Sequence, residues 1–462
     1  MNKPNILFIM LDQQRLDCIG ASGVRPVKTP NIDRLAEGGV FFEKALTPIP
    51  VCAPTRQSLI SGRRPESFGG IWNDGIVFPV MALSKDDYAF PRELREQGYK
   101  TAFLGKWDVN KKVPPTEYGF CDYLPDSAVT SEIAKKYPDI EYKNGFFGDP
   151  CPVPLEESHT HVMADRVCEM IDNYSKEDSP WYIQVEYTEP HLPVRPSAPY
   201  DTMYKAEEVE PWGSFGDTYE NKPYIQRQQL KSWRIEDRTW EEWSRTVALY
   251  YGLISQVDDA IGKIINAVDK TGKRNNTVII LTSDHGDMCG AHRMIDKHYN
   301  MYDDICRIPL IFNYEGTVSP CRYKGYVHHT LDMVPTILEI AGVDLTKDSE
   351  KRGLHGTSLK DQLFSGNHEY RDFAVSSYNG QQFGLYCERM IRTDKYKYVW
   401  NPTDIDEVYD LENDPYELKN IIYEIDREIL KNLRLKLHDE LKRCGDKLVN
   451  WTTAQLIDND KI

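Results

Sequence analysis

The chain has 462 residues, of which 40% are hydrophobic and 28% charged, a composition typical of a folded globular protein with space for a large domain and an appended subdomain. Its 72 acidic residues outnumber its 56 lysines and arginines and give a net charge of −16, so neither nucleic acid nor an anionic membrane is an expected partner. An anionic substrate would therefore need a local basic pocket.

The amino terminus and the cysteines indicate the compartment. The only early apolar run, residues 6–11, is too short for a signal peptide or a membrane span, so we expect a cytoplasmic protein. The 10 cysteines show no paired CxxC spacing. In a reducing compartment this pattern favours free, mostly buried thiols over disulfides or a zinc site.

Helical and strand patterns alternate along most of the chain. Helices are predicted over residues 29–37, 55–61, 90–97, 163–174, 246–268, 330–342 and 422–443. Strands are predicted over residues 5–11, 40–45, 100–104, 181–186, 277–282, 308–312, 373–378, 383–393 and 396–400. The sequence therefore predicts an α/β fold with a large, mostly parallel central sheet flanked by helices. A smaller α+β subdomain with a short antiparallel sheet follows, and we place the two domains at residues 1–350 and 351–462.

The first strand ends in polar residues. Residues 5–11 are continuously apolar, as in a central parallel strand covered on both faces, and Asp12 and Gln13 follow directly. Open α/β sheets bind ligands at this end of their strands. Carboxylate and amide oxygens suit Ca²⁺ or Mg²⁺. Taken alone, Asp12 fits equally well as a capping residue before a loop.

The stretch around Cys52 has the pattern of a nucleophile site. Pro54 suits the first turn of the helix over residues 55–61, and Gly62 ends that helix, so we place Cys52 just outside the helix N-terminus. Unpaired backbone N–H groups and the positive pole of the helix favour a bound oxyanion there. Arg56 adds a permanent positive charge.

Two further groups follow predicted strands. Lys106 comes after the strand over residues 100–104 and is a candidate anion-binding cation. His191 lies between two prolines after the strand over residues 181–186, in a stiff loop that suits an acid catalyst. Taken singly, a lysine in this position is usually solvated and a histidine in a proline-rich turn is more often incidental. Their significance depends on what lies beside them.

Residues 197–245 are rich in Tyr, Trp, Glu and Pro and have weak periodicity, so we expect an irregular excursion over the sheet edge. Its aromatic residues would form either a platform for a sugar or aryl group or the packing of a loop-rich lid, and we favour packing for most of them.

Asp284 and His285 directly follow the apolar strand over residues 277–282, and Lys297 comes in the next loop. In a parallel sheet this strand would carry Asp284 and His285 to the level of Asp12 and Gln13. Two polar strand ends that meet are a stronger signal than either alone.

The joint order of these residues resembles a type I sulfatase of the alkaline phosphatase superfamily. The resemblance rests on Cys-x-Pro-Thr-Arg at 52–56 with Leu-x-Ser-Gly-Arg at 59–63, together with the other motifs in the same order. These are Asp12-Gln13, Gly-Lys106-Trp, Pro-His191-x-Pro, Asp284-His285-Gly and Lys297. The match runs from residue 5 to about 342, and residues 410–418 also look like the family's C-terminal subdomain.

The resemblance implies a role for each residue. Asp12, Gln13, Asp284 and His285 would hold one divalent cation, by default Ca²⁺ with Mg²⁺ or Mn²⁺ possible, and Cys52 would complete the shell. A formylglycine-generating enzyme or a radical SAM maturase would convert Cys52 to formylglycine, whose hydrated aldehyde attacks the sulfur. Arg56, Lys106 and Lys297 would offset negative charge, and His191 would protonate the departing alcohol.

The sequence departs from the family pattern, and alternatives stay open. Asp108 stands where most sulfatases have a histidine, and a carboxylate beside a bound sulfate has to be paired, with Lys111 or Lys112 as the expected candidates, or has to turn away. Gln13 and His285 also resemble the formylglycine-dependent phosphonate monoester and phosphodiester hydrolases. An unconverted Cys52 would instead leave an inactive anion-binding protein. We expect a sulfated sugar as substrate.

Overall fold

The computed structural model describes residues 3–75, 77–366 and 370–450, and its strands form two sheets. The strands of the central sheet are β1 (Asn5–Asp12), β2 (Val40–Leu46), β3 (Lys100–Gly105), β4 (Asp122–Pro125), β5 (Trp181–Pro190), β6 (Thr277–Ser283), β7 (Arg307–Ile308), β8 (Leu310–Asn313) and β9 (Cys321–His328). The strands of the second sheet are β10 (Phe373–Gly380), β11 (Tyr386–Thr393), β12 (Tyr396–Trp400) and β13 (Glu407–Asp410).

Helices cover both faces of the central sheet and one face of the second. They are α1 (Pro30–Glu37), α2 (Cys52–Ser61), α3 (Phe90–Glu96), α4 (Asp126–Lys136), α5 (His159–Ser175), α6 (Tyr224–Trp233), α7 (Trp240–Lys270), α8 (Asp303–Cys306), α9 (His329–Ile340), α10 (Ser349–Arg352), α11 (Lys360–Phe364) and α12 (Arg427–Arg443). Among the described residues, no helix combines the length and the apolar character needed to cross a membrane.

Strand β1 lies in the middle of the central sheet. The strand order is β4-β3-β5-β1-β6-β8-β2-β7, with β9 paired to β2. Strand β1 pairs in parallel with β5 and β6, whereas β8 runs antiparallel to β6 and β2. All eight residues of β1 are buried, as the continuous apolar run predicts. The prediction of an α/β fold with a mostly parallel central sheet is therefore confirmed.

Alternate residues of β1 pack into different layers. Ile6, Phe8 and Met10 belong to the core shared with α2, α3 and α9, whereas Leu7, Ile9 and Leu11 belong to the core shared with α1, α5 and α7. Each such side chain contributes about 1.5–3 kcal/mol when it is fully buried. The two layers hold β1 rigidly and so fix the position of the residues that follow it.

The smaller sheet packs against α12 through an apolar core of its own. It is also hydrogen-bonded to the domain that contains the central sheet, because the backbone N–H of Ser377 donates to the carbonyl of Pro48 at 2.9 Å. The Lys397 ammonium lies 2.7 Å from Asp303 and 2.5 Å from Glu417. The antiparallel sheet is confirmed, and the boundary near residue 350 stays a prediction.

Several elements differ from the predictions. Helix α2 begins at Cys52 itself and not at residue 55, so Cys52 is its first residue. The excursion over residues 197–245 contains a regular helix, α6, and the first turns of α7. Strands β4, β9 and β13 and helix α4 were not predicted, and residues 308–312 form two short strands and not one. Short edge elements carry weak periodicity, which is why the pattern missed them.

Gly105 joins β3 to the residues of the candidate site, and we expect it to tolerate no side chain. Its φ is +105°, and an added Cβ would lie 2.0 Å from the carbonyl oxygen of Glu186. Gly98 is the matched control, because its φ is +88° but nothing lies within 4 Å of an added Cβ. Gly98→Ala should cost about 1–2 kcal/mol from backbone strain. Gly105→Ala should cost about 1–3 kcal/mol more, because overpacking adds to the strain. Urea unfolding measures both, and equal losses would contradict the steric argument.

Candidate active site

Four potential metal ligands converge at the carboxyl edge of the central sheet. Asp12 ends β1, Asp284 and His285 directly follow β6, and Cys52 begins α2. One ligand atom from each lies within 4.8 Å of the others, and all four residues are buried. The parallel register that pairs β1 with β6 brings the first three to the same level. The structure thus brings together the two strand ends and the cysteine that the sequence singles out.

Arg56 holds the two aspartates in place. Its Nη2 lies 3.1 Å from Oδ2 of Asp12 and 2.9 Å from Oδ2 of Asp284, and its Nη1 donates to Glu186. The Oδ1 atom of each aspartate is left 3.6 Å from Nε2 of His285. The guanidinium therefore binds one oxygen of each carboxylate and leaves the other oxygen facing the cluster.

The orientation of His285 suits a metal ligand. Its Nδ1 lies 2.9 Å from the carbonyl oxygen of Gly286, which can only accept a hydrogen bond. Nδ1 therefore carries the hydrogen, and the lone pair of Nε2 faces Asp12, Asp284 and Cys52. Two carboxylate oxygens and one imidazole nitrogen at this spacing fit a divalent cation. Ca²⁺ and Mg²⁺ ordinarily take oxygen ligands, so the nitrogen makes Mn²⁺ a serious alternative to the expected Ca²⁺.

Cys52 lies inside the cluster at the N-terminus of α2, with 2% of its surface exposed. Its Sγ is 3.3 Å from Nε2 of His285 and 3.7 Å from Oδ1 of Asp12. Burial and Asp12 raise the pKa of the Cys52 thiol, but Lys106 and Lys297 are the main groups that outweigh them and hold it well below its usual value. The surroundings of Cys52 therefore favour negative charge on the group at this position.

Lys106 and Asp108 are paired with each other. The Lys106 ammonium lies 2.5 Å from Oδ2 of Asp12 and 3.4 Å from Oδ2 of Asp108. The expected partner Lys111 donates instead to the backbone carbonyl of Asp74 at 2.7 Å. The pairing of Asp108 with Lys111 or Lys112 is therefore corrected, because the ammonium of Lys106 is nearer and less exposed. Asp108 thus places a carboxylate beside Lys106, the predicted anion-binding lysine.

Lys297 and His191 are hydrogen-bonded to each other. Nζ of Lys297 lies 2.8 Å from Nε2 of His191 and 3.0 Å from Oε1 of Gln13. Nδ1 of His191 lies 2.5 Å from the carbonyl oxygen of Leu192, so Nδ1 carries a hydrogen and Nε2 accepts from Lys297. Burial lowers the pKa of Lys297, but Asp296 and Cys52 outweigh burial and raise the pKa above its usual value. The ammonium therefore stays protonated.

Gln13 lies beside the four ligands. Its backbone adopts φ +70°, and its Nε2 donates to Asp287 at 2.6 Å and to Asp296 at 3.0 Å. Its Oε1 accepts from Lys297, so the amide is bonded on both sides. The role of Gln13 as a metal ligand stays a prediction. Burial and Asp296 raise the pKa of Asp287 to about 6, since two carboxylates share this amide.

Sequence reasoning missed Glu186, the third acid that holds Arg56. Glu186 lies in β5, next to Met10 of β1, and is buried. Burial raises its pKa to about 7 against the opposing effect of Arg56. A carboxylate in the middle of a predicted central strand was the available signal, because such a group is rarely buried without a cation.

The tryptophans of the excursion pack in the interior. Trp212 and Trp243 are 3% and 0% exposed, and Trp212 stacks on the guanidinium groups of Arg15 and Arg25. The packing interpretation of these residues is therefore supported over a sugar platform.

A mostly parallel sheet with a helix N-terminus and four potential metal ligands at its carboxyl edge is the arrangement expected of the alkaline phosphatase superfamily. Comparison with known families narrows the assignment. The family model "Sulfatase" matches residues 4–343, and the model "N-sulphoglucosamine sulphohydrolase, C-terminal" matches residues 290–447. The chain belongs to the sulfatase family, whose members hydrolyse sulfuric esters.

Similar proteins are found across the whole length of the chain. It is 31% identical to the uncharacterized sulfatase YidJ of Escherichia coli (strain K12), over 97% of this chain and 88% of that protein. It is 30% identical to an arylsulfatase of Clostridium perfringens (strain 13 / Type A), over 91% of this chain and 90% of that protein.

Two solved structures share the fold. One is a protein in complex with its substrate D-glucosamine-2-N,6-O-disulfate, with a TM-score of 0.77, 21% identity and coverage of 96% of this chain and 99% of that one. The other is the phosphonate monoester hydrolase of Agrobacterium radiobacter, with a TM-score of 0.78, 24% identity and coverage of 96% and 95%.

Proposed function

We propose that this chain hydrolyses a sulfate ester of a carbohydrate through formylglycine derived from Cys52. The observation that carries the proposal is the position of Cys52, which begins α2 within reach of Asp12 and His285. If the residue is converted, the hydrated aldehyde supplies the attacking oxygen at this position, and its second hydroxyl then has to lose a proton to expel sulfate and restore the aldehyde. A bound divalent cation would supply Lewis acidity at the same place.

The side chains of this site would take different roles in the reaction. Lys106, Lys297 and the N-terminus of α2 offset charge on the sulfuryl oxygens, and Arg56 keeps the aspartates oriented. His191 accepts a hydrogen bond from Lys297 at Nε2 and has to gain a proton there before it can donate one. Solvent is the source of that proton, because Lys297 stays protonated, and the departing alcohol is its destination.

The carbohydrate portion rests on relatives. One structure with the same fold contains a sulfated glucosamine as its substrate, and the site of this chain opens beside a cavity of about 650 Å³. The cytoplasmic location and the maturase partner, a formylglycine-generating enzyme or a radical SAM enzyme, stay predictions that belong to this proposal.

Phosphonate monoester or phosphodiester hydrolysis is the second candidate. It is favoured by Gln13 and His285 and by the fold shared with a phosphonate monoester hydrolase. A phosphonate monoester and a sulfate monoester both carry one negative charge, so charge does not separate them. A second substituent on a diester needs room at the site, and that requirement would decide between the two.

We expect kcat/KM for an aryl sulfate to exceed that for matched phosphate monoester, phosphonate monoester and phosphodiester substrates by at least about tenfold, or about 1.4 kcal/mol. The phosphate monoester carries up to two charges and meets Asp108, which lies 3.4 Å from Lys106. Asp108→Asn should therefore narrow the ratio of sulfate to phosphate monoester. The enzyme has to be fully converted, as mass spectrometry of the Cys52 peptide verifies. A phosphonate or diester that reacts tenfold faster than the sulfate would replace the proposal with the second candidate.

A further inference from the structure

A cavity of about 650 Å³ adjoins the candidate active site. Lys106 and His191 line it, so it is continuous with the place where the sulfate would bind. The remaining walls come from α4, from residues 137–153 and from the loop over residues 188–197. An ester held by Lys106 would therefore extend its alcohol portion into this space.

Arg195 is the unpaired charge of this cavity. Its guanidinium carbon lies 3.7 Å from the centroid of the Tyr142 ring, and its buried Nε has no hydrogen-bond partner. Within residues 3–75, 77–366 and 370–450, the side chain of Arg195 makes no salt bridge within 4.0 Å. Stacking on an aromatic ring leaves the edge of the guanidinium, with its N–H donors, free for a ligand.

The backbone on both sides of Arg195 is fixed. The carbonyl of Val194 accepts from the N–H of Asp149 at 3.2 Å, and the carbonyl of Pro196 accepts from the N–H of Cys151 at 2.8 Å. Val194 is itself buried. Arg195 is therefore presented by a rigid segment, and little conformational entropy is lost when its guanidinium binds a partner.

The acids that line or border the cavity are already bonded. Nδ1 of His159 lies 2.8 Å from Oε1 of Glu189, and its Nε2 lies 2.9 Å from Oδ1 of Asp126. Burial lowers the pKa of His159, but Glu189 and Asp126 raise it to about 10, so the ring sits between them as a cation. Lys106 is likewise bonded to Asp12. Arg195 is thus the charged group of the cavity that lacks a partner of opposite sign within the described residues.

We propose that this cavity holds the alcohol portion of the substrate and that Arg195 binds a second anionic group on it, either a carboxylate or a second sulfate. This assignment rests on the proposed function, since it needs an ester bound at Lys106. A forked guanidinium pairs with two oxygens of a carboxylate or sulfate at once, which gives both strength and orientation. The preferred substrate is then an acidic or doubly sulfated sugar and not a neutral one.

The experiment compares substrates with and without the second anion. On converted enzyme, kcat/KM is measured for 4-nitrophenyl sulfate, a monosulfated neutral hexose, a disulfated hexose and a sulfated uronic acid. We expect Arg195→Ala to reduce the ratio of the best anionic sugar to 4-nitrophenyl sulfate at least tenfold, mainly through KM. Arg195→Lys should lose less, because it keeps the charge without the fork. The disulfated hexose and the uronic acid show which anion is bound.

Arg245→Ala is the matched control, because Arg245 is 67% exposed on α7 and pairs with Glu241. It should leave every ratio unchanged. Two results would each overturn the assignment. One is an Arg195→Ala variant whose ratio of the best anionic sugar to 4-nitrophenyl sulfate is unchanged, as when it loses equally on all substrates. The other is anionic sugars that react no faster than the neutral hexose on the unmutated enzyme. Turnover of 4-nitrophenyl sulfate by the unmutated enzyme tests the proposed function separately, so failure of one is distinguishable from failure of the other.

Discussion

Cys52→Ala is expected to reduce sulfate ester hydrolysis by at least about 10⁴-fold, the scale seen when an enzyme loses its nucleophile. The side chain lies at the sheet edge among the charged groups and supplies chemistry more than core packing. The free energy of unfolding should change by less than about 2 kcal/mol, since only the thiol group is removed. Steady-state kinetics and urea unfolding of the same preparation measure the two effects.

Cys18→Ala provides the control for the loss of a buried thiol. Cys18 is 0% exposed, like Cys52 a buried cysteine, and it lies outside the four-ligand cluster. It should keep its turnover. A Cys52→Ala protein that retained most of its activity would contradict the assignment of the nucleophile, whichever ester is used.

Asp12→Asn and Asp284→Asn should each lose the bound cation and reduce turnover by at least about 10³-fold, because a charged hard ligand is removed from a site that has few. The amides keep the side-chain volume and can still accept from Arg56, which limits the cost of leaving a buried guanidinium without its partner. Metal analysis of the purified proteins gives the occupancy directly. Readdition of Ca²⁺, Mg²⁺ or Mn²⁺ after chelation identifies the ion that restores the unmutated enzyme.

Glu186→Gln separates metal binding from support of Arg56. Glu186 bonds to Arg56 but lies outside the four-ligand cluster, so this variant should keep its metal even if its stability falls. Full metal occupancy in both aspartate variants would show that the cation is held elsewhere or that these acids serve only Arg56.

Much of the site could be predicted because its members lie at the ends of strongly patterned strands. Residues 5–11 and 277–282 are continuous apolar runs, so the polar residues that follow them had to emerge at one edge of a parallel sheet. The sequence of Cys52 and Arg56 added a family motif that no other stretch carries. These features are local, and local patterns can be read without knowing the fold.

The parts that were missed depend on contacts between distant segments. Glu186 is recognised as part of the site only through its contact with Arg56, which is 130 residues away. Asp108 is recognised only through its contact with Lys106, whose ammonium could not be placed from spacing alone. The cavity around Arg195 is built from α4 and two loops that have no regular pattern. A single sequence gives no information on which of its irregular segments will meet.

The burial of Cys52 sets an order of events in the life of this protein. Val51, Cys52 and Ala53 are 0%, 2% and 4% exposed, so a second enzyme has no route to the thiol or to the backbone around it once the sheet edge has closed. Any enzyme that modifies Cys52 therefore has to act on the nascent or unfolded chain. In a chain that folds before it meets such an enzyme, Cys52 keeps its thiol. Adding the enzyme to the purified, folded protein should then leave Cys52 unmodified. If activity requires this modification, the yield of active protein depends on the relative rates of folding and modification in the producing cell.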